Sequence, residues 1–496
     1  MTNNQQLTTN NNNKGQLSMQ ILIYGMIMVI MLSGFLVWTD TNLNNTINYQ
    51  NRSLAFKIAE AGIEYYRWHL AHDQNDYTDG TGGPGPYIHE YYDKDGNIIG
   101  QFSLKITPPE NGSTIIIVRS TGKSNADPDI EKIIEAKMGI PSFAKYASVL
   151  NDNVRYGDGT EVFGPIHSNN GVRFDGIAHN LVTSAVSAYD DLDHSGGNEF
   201  GVHTHKNKVS EGGGTNNSFR PQEAPPNEVL DRSDVFLAGR NFPVPAVDFT
   251  GITQTLSQLK ESASSSGFYR GSSGGGKYGY DIVLKTDDTF DFFIVDALRA
   301  PPNNCTNYFN QSGWGIWSIQ TETLLGNYPI PANGLIFIED DIWIKGQINT
   351  NRATIASARF PDNPTTRSSI TLNENLLYTN YKGQDAIGLI AQNNINIGFY
   401  SADVIRVDGA LMAQNGRVGR YYYRSPDNRC TTYHSRNTIT TYGMIASSQR
   451  YGFAYTDGTG YQTRNLIYDA NLLYAPPPSF PLAAETYEVI NWKEIQ

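Results

Sequence analysis

The stretch "AFKIAEAGIEYYRWHL", Ala55 to Leu70, decides how the chain begins, because its residues recur with the period of a helix. Leu54, Ile58, Ala61, Tyr65 and Trp68 follow one another at i+4, i+3, i+4 and i+3, an apolar stripe. Beside it run Ala55, Ala59 and Gly62, small side chains at the same spacing that let another helix or a sheet approach the backbone closely. Lys57, Glu60, Glu64 and Arg67 supply opposite charges on the wet side. No proline occurs from Met1 to Gly83. One uninterrupted helix over 16–72 is therefore predicted, roughly 85 Å long.

Upstream, "ILIYGMIMVIMLSGFLVW" (Ile21 to Trp38) is eighteen residues without a charge, and roughly 17 to 25 apolar residues cross a bilayer as a helix. A single membrane span is expected. Lys14 and the amino terminus precede the run and the first charge after it is Asp40, which puts the N terminus inside the cell membrane and the bulk of the chain outside. The run is longer than the apolar core of a cleaved secretory signal, and no A-x-A site follows it.

A long helix of this kind followed by a β-rich domain resembles type IV pilins and pseudopilins. "IAEAGIEYYRWHL" resembles the "AEAG" helix of the PilX-type minor pilins. "KGQLSMQILIYG" resembles a prepilin peptidase site, with Lys14 and Gly15 before the cut and Gln16 as the new first residue. The sequence departs from that pattern at Gln20, where pilins usually have Glu, at Gln16, where Phe or Met is usual, and in a leader, "MTNNQQLTTNNNNKG", that is polar instead of basic. The resemblance implies removal of the leader 1–15, methylation of the new N terminus, and other pilin-like subunits as partners. On this reading the stripe of Ile58, Ala61 and Tyr65 packs on the chain's own domain, while Ala55, Ala59 and Gly62 meet a neighbouring subunit.

Composition bounds the remainder. A chain of 496 residues exceeds one ordinary core, and its abundance of Asn, Gly, Tyr and Ser with few charges favours a polar, turn-rich β protein. The formal net charge of −12 is spread out, with no basic block, so no nucleic-acid partner is expected. Cys305 and Cys430 lie in polar loops as a possible disulfide pair or two free thiols.

Between 84 and 142, "PYIHEYY", "IIGQFSLKITP", "STIIIVRSTG" and "IEKIIEAKMG" read as an antiparallel meander separated by turn signals. Beyond it "GPIHSNNGVRFDG", "GLIFIEDDIWIKG", "GLIAQNNINIG" and "GALMAQNGRVG" share one design: a Gly, a short apolar strand, a polar corner and a second strand. Such repeats are the sequence form of a β-solenoid. Its inward residues would be Ile166, Val172, Phe174, Ile336, Ile338, Ile342, Ile344, Leu389, Ile395, Ile397, Leu411 and Val418. The predicted fold is mainly β with one long N-terminal helix, the solenoid-like head spanning 143–185 and 331–496. The stretch 186–330 reads as an insertion, a flexible loop followed by a small α+β element with a helix over 249–265.

Candidate chemistry is sparse. His194, His203 and His205, with Asp191 and Asp193, have the composition of a metal set, but the polar loop around them reads as solvated, so no metal, cofactor or catalytic residue is expected. Glu339, Asp340 and Asp341 are adjacent on one corner, whereas paired glycosidase carboxylates face each other across a cleft. The expected protein is a non-enzymatic, membrane-anchored pilus-like subunit whose head contacts surface glycans or proteins. An anchored polysaccharide-active enzyme and a structural envelope stalk are the alternatives.

Overall fold

The computed structural model describes residues 13–109, 114–249, 251–425, 429–430, 432–483 and 486–495, with the backbone alone for 13–16 and 251–255. The protein is mainly β with one long N-terminal helix, and it divides into two compact units.

The first unit begins with α1 (Asn13–His72), a single unbroken helix. Every residue from Leu17 to Trp38 is exposed. Among the described residues this is the one helix long and apolar enough to cross a membrane, with a mean hydropathy of 2.4 over its most apolar window. The lower half of α1 packs on a sheet of β1 (Tyr87–Tyr92), β2 (Ile98–Thr107), β3 (Ile116–Ser124), β4 (Asp127–Gly139) and, beside β4, the strand Glu488–Ile495. β1, β2 and β3 pair antiparallel. The fifth strand lies in the stretch 331–496 assigned to the head on sequence; its alternation marks it as a strand but carries no information about which sheet it joins.

The buried face of α1 is Ala55, Ile58, Ala59, Gly62, Ile63, Tyr66 and Leu70, so the small residues turn toward the protein's own sheet. Leu54, Ala61 and Tyr65 are half-buried, and Trp68 is 60% exposed. This corrects the assignment of Ala55, Ala59 and Gly62 to a neighbouring subunit. The reason is a close approach of backbones: a Cβ at Gly122 would lie 2.2 Å from the Ala55 carbonyl oxygen, and one at Gly62 would lie 2.3 Å from Ser120 Oγ and 2.8 Å from Phe102 Cδ2. Gly62→Leu therefore disrupts this unit from within, where the reading of an open face expects it to spare folding.

In the second unit short strands pair in parallel along three rows. The first row runs Phe268–Arg270, Leu335–Ile338, Arg352–Ser357, Ala386–Ala391, the second half of Val404–Ala413, the second half of Ser435–Ser447, Ser148–Leu150, Ile166–Ser168, Val182–Ser184 and Arg240–Asn241. Another holds Tyr280–Leu284, Ile342–Ile348, Ile370–Leu372, Ile395–Ile397 and Val418–Arg420. The third joins Leu376–Tyr378 through Val404–Ala413, Ser435–Ser447 and Gly460–Tyr468 to Thr160–Phe163 and Ile177–Ala178. Strands Val404–Ala413 and Ser435–Ser447 serve two rows by bending at Gly409 and Gly443, whose φ values of 155° and 143° suit a residue without Cβ.

All twelve residues read as inward-facing lie in one buried hydrophobic cluster. Alternate residues of the first row, among them Leu335, Phe337, Ala356, Ile390 and Met412, point the other way into a second buried cluster completed by Leu256, Leu259 and Ala263 of α2 (Gly251–Ser266) and by Phe143, Leu472 and Phe480. The stretch 186–330 differs from the insertion expected of it. Arg240–Asn241, Phe268–Arg270 and Tyr280–Leu284 are members of the parallel rows; each opens on a Gly (Gly239, Gly267 and Gly279), but the stretch 271–279 stands between the last two where the repeated motif has a tight polar corner. The hairpin of Thr289–Leu298 and Ile319–Pro329 pairs antiparallel to Tyr280–Leu284 and adds Phe290 and Phe292 to the same buried cluster.

Candidate functional site

The residues proposed from sequence fall in three places. Ala55, Ile58, Ala59, Ala61, Gly62 and Tyr65 form the interface of α1 with its sheet, where the Tyr65 ring lies 4.4 Å from His89 and 5.7 Å from Phe102. The backbone of Gly15 and Gln16 is the first turn of α1; their side chains, and the leader residues 1–12, lie outside the described residues. Cys305 and Cys430 form a disulfide with Cα atoms 4.6 Å apart, seated among Ile316, Phe399, Tyr421 and Tyr423.

The three acids of "IEDDIWI" pair off instead of converging. Glu339 accepts from Lys260 Nζ at 2.5 Å and Tyr269 Oη at 2.7 Å, while Asp340 and Asp341 both hold the Arg359 guanidinium. Sequence reasoning missed a different acidic group. Asp281, 1% exposed on Tyr280–Leu284, lies at the floor of a cleft with Glu322, Glu374, Lys345, Arg299, Trp343 and Tyr400. Lys345 Nζ is 3.5 Å from Asp281 Oδ2 and 3.2 Å from Glu374 Oε1. Burial pushes the Asp281 carboxyl up to about 7 against the pull of Lys345, with the Glu322 charge adding to the rise. The signal in the sequence is an Asp that alternates with the inward Tyr280, Ile282 and Leu284, and that its outward face is covered is visible only once the neighbouring strands are placed.

The histidine-rich stretch is buried, contrary to its reading as a solvated loop. Asp191 follows the strand Ala188–Tyr189, Glu199 lies on the antiparallel strand Glu199–Phe200, and His203 and His205 sit on and just after Val202–His203, which pairs with Val172–Phe174. One ligand atom from each of Asp191, Glu199, His203 and His205 falls within 4.8 Å of all the others. His203 Nε2 is 3.2 Å from Glu199 Oε2 and 3.7 Å from Asp191 Oδ2, and His205 Nε2 is 3.0 Å from Glu199 Oε1. Around them Arg173 donates to Asp175 at 2.9 Å and Asp191 at 3.3 Å, His194 Nε2 donates to Glu199 Oε2 at 3.0 Å, and the Arg220 backbone N–H donates to Glu199 Oε1 at 2.9 Å. Asp193, named with this set on sequence, turns away to pair with Arg450. Glu199 was missed: a single Glu among Gly and Asn offers no pattern until the strand folds back beside His203.

No protein-family model and no curated protein matches this sequence. Among solved structures the chain is similar to the competence-associated pilin ComZ from Thermus thermophilus, at 13% identity over 90% of this chain and 98% of that one, with a TM-score of 0.28, a superposition too loose to carry a function across.

Proposed function

We propose that this chain is a membrane-anchored, non-enzymatic subunit of the type IV pilus or pseudopilus kind, related to the PilX-type minor pilins, whose parallel rows form a β-solenoid head that contacts surface glycans or proteins outside the cell. The observation that carries the reading is α1. Its first half exposes apolar side chains on every face from Leu17 to Trp38, and only hydrocarbon or neighbouring helices remove such a surface from water. Its second half is sheathed by an antiparallel sheet, so the helix joins a span to a folded domain without a break. The test compares the full chain with one lacking 16–38 by cell fractionation and recovery in sheared filament fractions. Membrane and filament recovery is expected for the full chain only. Equal recovery of both forms sinks the reading.

The cleft at Asp281 favours a second reading, an anchored polysaccharide-active enzyme. A carboxyl titrating near neutrality beside further carboxylates and aromatic side chains has the parts of an acid–base site. Release of reducing ends or unsaturated products from acidic and neutral polysaccharides, lost in both Asp281→Asn and Glu322→Gln, would establish it. Binding to the same polysaccharides without product formation supports the first reading.

A further inference from the structure

We propose that Asp191, Glu199, His203 and His205 form a closed zinc site that fastens the 186–220 excursion to the end of the strand rows. The argument begins with the protons. His203 Nδ1 lies 3.1 Å from the Phe200 carbonyl oxygen and His205 Nδ1 lies 2.7 Å from the Asn216 carbonyl oxygen. A carbonyl oxygen only accepts, so both Nδ1 atoms carry hydrogen, and the position on each ring that offers a lone pair to a metal is Nε2.

Those two Nε2 atoms face carboxylate oxygens, acceptor against acceptor. They are near enough for ion pairs at 3.0 and 3.2 Å, yet neither is angled for a hydrogen bond, and both rings are fully buried. Unpartnered lone pairs at this spacing repel unless a cation stands between them. The spacing itself selects the cation. Zinc bonds to imidazole nitrogen and carboxylate oxygen at about 2.0–2.2 Å, which sets the edges of its tetrahedron at roughly 3.3–3.5 Å. The facing distances of 3.0 and 3.2 Å, to the two oxygens of Glu199, and of 3.7 Å to Asp191 lie near that length, and one ligand atom from each of the four residues falls within 4.8 Å of the others, so a small closure brings them onto one ion.

Charge points the same way. Asp191 and Glu199 bring two negative charges into a space where the nearest guanidinium, Arg173, is shared with Asp175. A divalent ion cancels them. His194 and the Arg220 N–H, bonded to the two oxygens of Glu199, fix that carboxylate as outer partners of a metal ligand do. Asp191 is 4% exposed and the other three ligands 0%, which leaves no open position for a substrate or water. The site is therefore structural, with two nitrogen and two oxygen ligands. This departs from the metal-free loop expected on composition.

The experiment uses the full chain purified in detergent, stripped by dialysis against dipicolinate, then titrated with zinc chloride and desalted. The expected result is one zinc per chain by elemental mass spectrometry and a rise in the melting temperature of the head that dipicolinate reverses. His203→Ala and His205→Ala should each retain zinc at least about tenfold more weakly, while His179→Ala, an exposed ring near Glu161, binds as the parent does. Should the ligand variants fail to fold, cobalt(II) loaded into the parent chain decides the matter: a four-coordinate site absorbs strongly in the visible and a hydrated surface site weakly. A parent chain that holds no zinc after desalting, weak octahedral cobalt bands, or histidine variants that bind like the parent would each overturn the proposal.

Discussion

Between Leu335 and Ser447 the interior of the head is filled by stacked aliphatic side chains, whereas between Ser148 and Asn241 the same rows close over charged groups. In the first stretch Ile336, Ile355, Leu389, Leu411 and Ile445 occupy successive positions of one register column. In the second the column passes through Ser148, Ile166 and Val182 to Arg240, and Arg173, Asp175, Glu199, His203, Glu223 and Arg232 are buried nearby. Strands there are two to four residues long. Short strands bury little apolar area, so this stretch depends on matched charges and hydrogen bonds, each of which is costly to leave half-made. The aliphatic stretch gains from dispersion spread over many contacts, and no single partner is indispensable.

That contrast can be broken most directly at Arg173. Arg173→Ala leaves Asp191 buried without its guanidinium and Asp175 with only the more distant Arg155 at 3.4 Å, and is expected to destabilise the head by about 4 kcal/mol, read as the shift of its unfolding transition in urea. Replacing both Cys305 and Cys430 by Ser, which opens a span of 125 residues beside the aliphatic stretch, is expected to cost about 3.5 kcal/mol in non-reducing conditions and nothing further when the parent is reduced. Leu389→Ala, which removes one member of the column, is expected to cost about 3 kcal/mol. If Leu389→Ala proves more damaging than Arg173→Ala, the distinction between the two stretches fails.

The smallest expected effect sharpens it by pH. Asp281 is a buried carboxyl on Tyr280–Leu284, the strand that pairs beside Ile342–Ile348 of the aliphatic stretch, and burial raises it from 3.8 to about 7. A raised carboxyl favours the protonated form in the folded protein. Its contribution to stability is complete below about pH 4 and is lost as pH rises through about 7. Asp281→Asn should flatten the stability profile over that window and leave the variant more stable at pH 8, by on the order of 1 kcal/mol. A parallel profile in both proteins would place the titrating group elsewhere.

Much of the architecture was legible where periodicity is strong. The span Ile21 to Trp38, the unbroken α1, the meander of β1 to β4 and the inward aliphatic residues all follow from period and punctuation. What escaped was long-range. The stripe Leu54, Ile58, Ala61, Tyr65, Trp68 and the stripe Ala55, Ala59, Gly62 are equally helical, and the choice between them was made by Gly122 on β3, far along the chain. The strands Phe268–Arg270 and Tyr280–Leu284 open on Gly267 and Gly279 as their neighbours do, but the Gly- and Ser-rich stretch 271–279 between them replaces the tight corner that marks the motif. Asp191 and Glu199 sit in a stretch so rich in Gly and Asn that composition argued for solvent, while the two carbonyl oxygens that orient His203 and His205 leave no mark on side-chain sequence at all.

The order in which the rows are stacked has a consequence for biosynthesis. Ser148 lies in register with Ile445, and Thr160–Phe163 with Gly460–Tyr468, so the early strands are flanked on one side by the last strands of the head to be made. Between Ser148 and Ile445 lie about 300 residues, which a ribosome adds in roughly 15 to 60 s. For that time the first strands present an unsatisfied edge of N–H and C=O groups, a template for mispairing with another nascent chain. A chaperone that caps strand edges should raise the yield of folded head most when it acts before the carboxy-terminal third emerges, and slowed translation of that third should lower it.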